Sequence, residues 1–193
     1  MNARQMLQGQ VNSILNDNGI NEARETAKSL KKAGIEFSAV YASTLSRAID
    51  TAKIICPGSE IIPEPRIKEL SFGDYEGLAY KDIDEPLWAF IHNPEKVEPP
   101  SGIESIHSLI ARTGEFLRDI IESDLSGNIL AVTHGIALRA IMRNLKGEDG
   151  GVWQTPIKNC VVYKAEIKGG RAVSLTREDS LSPESKTDTS KVF

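Results

Sequence analysis

Cysteine is scarce in this chain: Cys56 and Cys160 are the only two among 193 residues. Two cysteines cannot build the disulfide framework of a small secreted domain, and with no C-x-x-C spacing they offer no zinc site. Long apolar runs are missing too. No stretch approaches the roughly 20 residues of a membrane-spanning helix, and no charged-then-apolar leader opens the sequence. Cytoplasm is therefore the expected location. Nor does one sign of charge dominate; a formal net charge of -4 gives no reason to expect nucleic acid or an anionic membrane as partner. No internal repeat is present. No G-x-G-x-x-G follows any strand-like run, which argues against a dinucleotide-binding domain.

What remains fits one soluble domain: 40% hydrophobic and 26% charged residues are ordinary values, and the length allows one full core but not two. The stretch from Met1 to Gly19 is polar and turn-rich, with a turn expected at Asn16 to Gly19. A helix is expected over Glu22 to Lys32, stopped by Gly34, then a strand over Ile35 to Ala42 and a helix over Leu45 to Ile55. An extended piece at Ile61-Ile62 leads into an irregular region, Pro63 to Leu78. Helices follow over Lys81 to His92 and Ile103 to Glu122, then a strand and helix on either side of His134. Cys160 to Ile167 and Arg171 to Thr176 read as a hairpin. The polar segment 178–193 is expected to be a disordered tail beyond a single α/β domain over 1–177. Alternating strands and helices predict three layers around a mostly parallel sheet, with ligands beyond the carboxyl ends of the strands.

Four segments carry candidate chemistry. In I-L-A-V-T-H-G (129 to 135) a strand ends in His134 at the mouth of a helix, where free N–H groups and the helix dipole favour an anion. A histidine there adds a donor that can be charged near neutral pH; for a lone residue the plainer reading is a packed or capping side chain. In Y-A-S-T-L-S-R-A (41 to 48), Ser43 and Arg47 share one side of a strand-to-helix junction, and the guanidinium can bind phosphate through two parallel N–H bonds. The plainer reading is a solvated arginine beside a serine cap. In I-K-E-L-S-F-G-D-Y-E-G-L (67 to 78), Glu69 lies among apolar neighbours and is placed to hold a proton for a leaving group. Glu76 competes for that role, and either could simply cap backbone N–H groups. In P-P-S-G-I-E-S (99 to 105), Glu104 suits the first turn of a helix, with a substrate-orienting role as the sharper alternative.

Taken together, the segments S-T-L-S-R-A-I-D-T-A, K-E-L-S-F-G-D-Y-E-G, S-G-I-E-S and V-T-H-G resemble the histidine phosphatase superfamily, the phosphoglycerate mutase-like group. The likeness runs from Asn2 to about Thr176. It implies a phosphoglycerate mutase-like fold and phosphoryl transfer through a phosphohistidine. Arg47 and His134 would hold the phosphoryl oxygens, with Asn2 and the backbone N–H of Gly135 or Ile136 as further contacts. Gln8 and Gly9 stand at matching places in the opening stretch. Glu69 would protonate the leaving oxygen and later take a proton from water. No metal or other cofactor is implied. The implied partner is a small phosphorylated metabolite and, at most, a second copy of the chain.

The family's R-H-G motif is not in this sequence. It belongs on the first, central strand, shortly before the residue matching Asn2, so the nucleophilic histidine, its companion arginine and that strand are missing. Met6 also stands where many members carry arginine. Two readings stay open: an N-terminally truncated form of an ordinary phosphatase, or a non-catalytic phosphate-ester binder. Within the enzyme reading, the short segment from Glu69 to Pro99 favours a phosphomonoester hydrolase over a phosphoglycerate mutase, which must exclude water from its phosphoenzyme. A hydrolase acting on the nucleotide-loop precursor of cobalamin fits the same motifs.

Overall fold

The computed structural model describes residues 6–123, 125–148 and 150–183. Its elements run α1 (Asp17–Lys32), β1 (Phe37–Ser43), α2 (Ser46–Ile55), β2 (Ile61–Glu64), α3 (Glu85–His92), α4 (Ile106–Glu122), β3 (Asn128–Val132), α5 (Gly135–Lys146), β4 (Tyr163–Lys168) and β5 (Arg171–Arg177). Strands β2, β1 and β3 form a parallel sheet in that order, and β4 and β5 form an antiparallel pair.

Alternation along β1 divides the layers. Val40 and Ala42 face one side, where they pack with Ala52 and Cys56 of α2 and its end. Tyr41 faces the other side and joins Ile67, Phe116 and Ile141 beneath α4 and α5. The largest core lies beyond this sheet, where Leu70, Phe72, Leu87, Phe90, Leu109 and Ala137 bring α3, α4 and α5 together around one loop. The expected three-layer arrangement around a parallel sheet thus follows from period-2 strands between period-3.6 helices.

Several boundaries differ from the sequence expectations. Asn16 to Gly19 is not a turn but the start of α1: the Asn16 side chain accepts a hydrogen bond from Gly19 N at 2.9 Å. The helix expected from Lys81 starts at Glu85, because Asp84 caps it through Leu87 N. Likewise α4 starts at Ile106, capped by Ser105, which leaves Glu104 outside the helix rather than in its first turn. The first hairpin strand begins at Tyr163, since Cys160 has a left-handed φ of 51°. The stretch after Arg177 was expected to be unstructured throughout. Instead Glu178 N donates to Val162 O and the Ser182 hydroxyl accepts from Val162 N, so this part of the segment folds back onto the hairpin; residues 184–193 lie outside the described ones.

Register sets the site. Parallel pairing aligns Ala42 with Val132, so the next residues of both strands emerge at one sheet edge. Among the described residues β3 pairs only with β1, and its pattern from Asn128 to Val132 is half open to solvent. No helix among the described residues is long and apolar enough to cross a membrane.

Candidate active site

At that edge the Ser43 hydroxyl lies 2.7 Å from His134 Nε2, and Arg47 Nε lies 3.2 Å from His134 Nδ1. A guanidinium only donates, so Nδ1 is an acceptor and the ring proton belongs on Nε2, facing Ser43. The imidazole is therefore neutral. Burial, then the nearby Arg47 and Arg112 charges, push its pKa down to about 3. This corrects the expectation of a histidine charged near neutral pH: the ring is withdrawn from much of the solvent and the charges nearest it are cations.

Two further N–H bonds of Arg47 tie down the loop before α1. Nη1 donates to Val11 O at 2.8 Å and Nη2 to Gly9 O at 2.7 Å. Burial lowers the guanidinium's pKa, and the Glu69 and Glu76 charges offset only part of that. Asn12 caps α2 through Ser46 N, a job that Leu45 cannot do. Gln8 forms the turn that follows, its carbonyl accepting from Val11 N. Gly9 has φ +50°, and a Cβ there would lie 2.3 Å from Glu76 Oε1. That carboxylate is held by Gln10 N and Phe72 N, so Glu76 caps the loop, and it has no hydrogen bond to α5 of the kind that Glu69 makes. Asn2 lies outside the described residues.

Glu69 reaches the same place from the 66–71 loop. Its Oε1 accepts from Ile136 N at 3.1 Å and Ala137 N at 3.0 Å, in the first turn of α5, and from Leu70 N. His134 supplies no side-chain cap to α5, so Glu69 takes that place against the positive end of the helix. Ile136 N, expected as a phosphate donor, is thus occupied by Glu69; Gly135 lies against the same carboxylate, 3.8 Å from Oε2 to the position of an added Cβ.

Glu104 does not face the site as a substrate ligand would. It binds Arg112, Ser71 N and Ser108. Burial pushes its carboxyl up, but the Arg112 hydrogen bonds win and hold it below the ordinary value. His92 bonds Trp88 O at the end of α3, and His107 is exposed on α4. Sequence reasoning missed Arg112, which touches the Glu69 loop, and Gln10, whose amide donates to Glu69 O at 2.9 Å. The signal for Arg112 was a cation set directly beside the inward stripe of Leu109, Thr113 and Phe116. Among the described residues no cluster of three or more His, Cys, Asp or Glu side chains could hold a metal ion.

Residues 1–180 match the family model described as histidine phosphatase superfamily (branch 1). "Phosphoglycerate mutase-like protein 4" of Arabidopsis thaliana is 34% identical over 147 residues, covering 72% of this chain and 64% of the relative. "Metal-independent phosphoserine phosphatase" of the same plant is 37% identical over 149 residues, covering 72% of this chain and 61% of the relative. The chain thus spans somewhat less than two thirds of the length of these two relatives. Among solved structures, Bacillus stearothermophilus YhfR superposes with a TM-score of 0.80 at 27% identity, covering 89% of this chain and 87% of that one. Phosphoserine phosphatase from Entamoeba histolytica, solved in complex with 3-phosphoglyceric acid, shares the fold with a TM-score of 0.79 at 24% identity, covering 93% and 92%.

Proposed function

Since the chain belongs to the histidine phosphatase superfamily, we propose that it serves phosphomonoester hydrolysis through a phosphohistidine, on a small phosphorylated metabolite in the cytoplasm. One observation carries this reading: Arg47, His134 and Glu69 converge on the first turn of α5 although they lie on three separate segments. Through its two other Nη–H bonds Arg47 binds the phosphoryl oxygens, joined by the His134 Nε2–H as it turns from the Ser43 hydroxyl, and together they offset the charge that grows there.

In the proposed first step a histidine nitrogen forms a bond to phosphorus as the ester P–O bond breaks, and Glu69 gives its proton to the leaving oxygen. In the second, water attacks phosphorus, Glu69 takes the water proton, and the N–P bond breaks to release phosphate. The net change is ester plus water to alcohol plus phosphate. The attacking histidine of this scheme is that of the R-H-G motif, which these 193 residues do not contain. The residues present supply the phosphoryl-binding and proton-transfer half. The second reading is a phosphate-ester binder without turnover, because Arg47 and His134 can hold an anion without a nucleophile. The mutase alternative rests on the relative named as phosphoglycerate mutase-like.

The test uses the protein purified from its source, with its intact mass recorded. It is offered 4-nitrophenyl phosphate, phosphoserine and 3-phosphoglycerate. Phosphate release with an acid-labile phosphoenzyme supports the hydrolase. Isomerisation without net phosphate release supports the mutase, and vanadate binding with neither supports the binder.

A further inference from the structure

Arg112 grips the loop that carries Glu69, and its bonds leave no donor for a substrate. A guanidinium has five N–H bonds. Here Nε donates to Glu104 Oε1 at 2.8 Å, Nη1 to Arg66 O and Lys68 O at 2.7 Å each, and Nη2 to Glu69 O and Glu104 Oε2 at 2.9 Å each. All five are engaged within the protein. Glu104 completes the clamp from the other side: its Oε2 accepts from Ser71 N at 3.2 Å, and its own N–H donates to Ser71 O at 2.9 Å. The backbone is therefore gripped before Glu69, at carbonyls 66 and 68, at Glu69's own carbonyl, and after it, at both polar groups of Ser71.

We propose that Arg112, seated by Glu104, is a positioning residue that fixes the Glu69 carboxylate at the start of α5. The inference rests on the reading of Glu69 as the proton donor. A general acid must stand within hydrogen-bond reach of the leaving oxygen. Glu69 hangs from a loop with no regular secondary structure of its own, so α4 lends it rigidity through one planar fork. Lysine carries the charge but lacks the fork, and its three donors cannot reach three carbonyls and a bidentate carboxylate together.

The test compares Arg112→Lys, Glu104→Gln and Glu69→Gln in the protein expressed from its own gene in its source. Two readouts are taken: turnover of an alkyl phosphate against 4-nitrophenyl phosphate, and NMR of the Glu69 carboxyl carbon with the Ile136 and Ala137 amides. A displacement of about 1 Å costs up to about 10²-fold in rate. Arg112→Lys should therefore lower kcat on the alkyl ester at least 10-fold, leave 4-nitrophenyl phosphate within about 3-fold, and leave both KM values unchanged. Its Glu69 carboxyl and the two amide signals should move, and Glu104→Gln should give the same pattern more weakly. If the Glu69 signals stay in place in both clamp variants, positioning is overturned whatever the activity. Equal losses on both esters, or a raised KM, overturn it as well, because they place Arg112 in phosphate binding. If Glu69→Gln itself discriminates no leaving group, the acid reading fails instead, while the NMR arm still decides the clamp.

Discussion

His134 receives an N–H from Arg47 on one ring nitrogen and faces the Ser43 hydroxyl with the other, so its imidazole is locked between two strands' ends in one tautomer. The pair sets which form of the ring the folded state tolerates. Protonating Nδ1 would place a second positive charge against the guanidinium and leave its N–H without an acceptor.

Acid stability follows with a definite sign. The folded pKa is about 3 against an ordinary 6.5, so below 6.5 the unfolded chain binds a proton that the native state refuses. The stabilisation is complete above pH 6.5 and is lost as pH falls toward 3, at about 1.4 kcal/mol per pH unit for one proton. Urea unfolding at pH 7, 5 and 4 measures it, and His134→Gln should flatten the slope by about that amount.

Arg47→Lys keeps the charge and loses the fork that spans Gly9 O, Val11 O and the imidazole. Vanadate affinity should fall at least 10-fold, about 1.4 kcal/mol, as read by calorimetry. An unchanged affinity would move the phosphoryl site away from Arg47.

Glu69 caps α5 through Ile136 N and Ala137 N. Glu69→Ala should destabilise the fold by about 1 kcal/mol, the usual loss for a removed N-terminal cap. Glu69→Gln, which retains an acceptor, should lose less. Denaturant midpoints at constant m-value give the comparison.

Gly73 and Gly77 both have positive φ, +55° and +88°, but only Gly73 is crowded: a Cβ there would lie 2.3 Å from Gly102 O, while Gly77 faces open space. Gly77→Ala should cost about 1–2 kcal/mol for the left-handed backbone alone. Gly73→Ala should cost more, because two backbones must separate. Thermal unfolding of the two variants isolates the clash from the strain.

Much of this architecture was legible in the residues. Ser43, Arg47 and His134 stood out because short apolar runs end in polar residues just where helical periodicity begins, and register then brings the two strand ends together. Asn16 to Gly19 misled because the residue types that favour turns also cap helices. Glu104 was placed one turn too deep for the same reason, Ser105 being the cap. Arg112 was hidden more thoroughly. Its partners are backbone carbonyls 43 to 46 residues away, and a carbonyl leaves no trace in a sequence. That Glu69 caps backbone N–H groups is among the readings the residues offer, but not that the cap serves α5, which borrows it from a segment 67 residues earlier.

That borrowing has a kinetic consequence. The bonds joining Ser43, Arg47 and Glu69 to His134 and α5 span 67 to 91 residues of chain. Contacts so distant in sequence form only after long loops have closed, whereas helices such as α1 can form locally within microseconds. Refolding should restore helical circular dichroism well before it restores vanadate binding. The anion site then acts as a clock that starts only when the whole sheet edge is assembled.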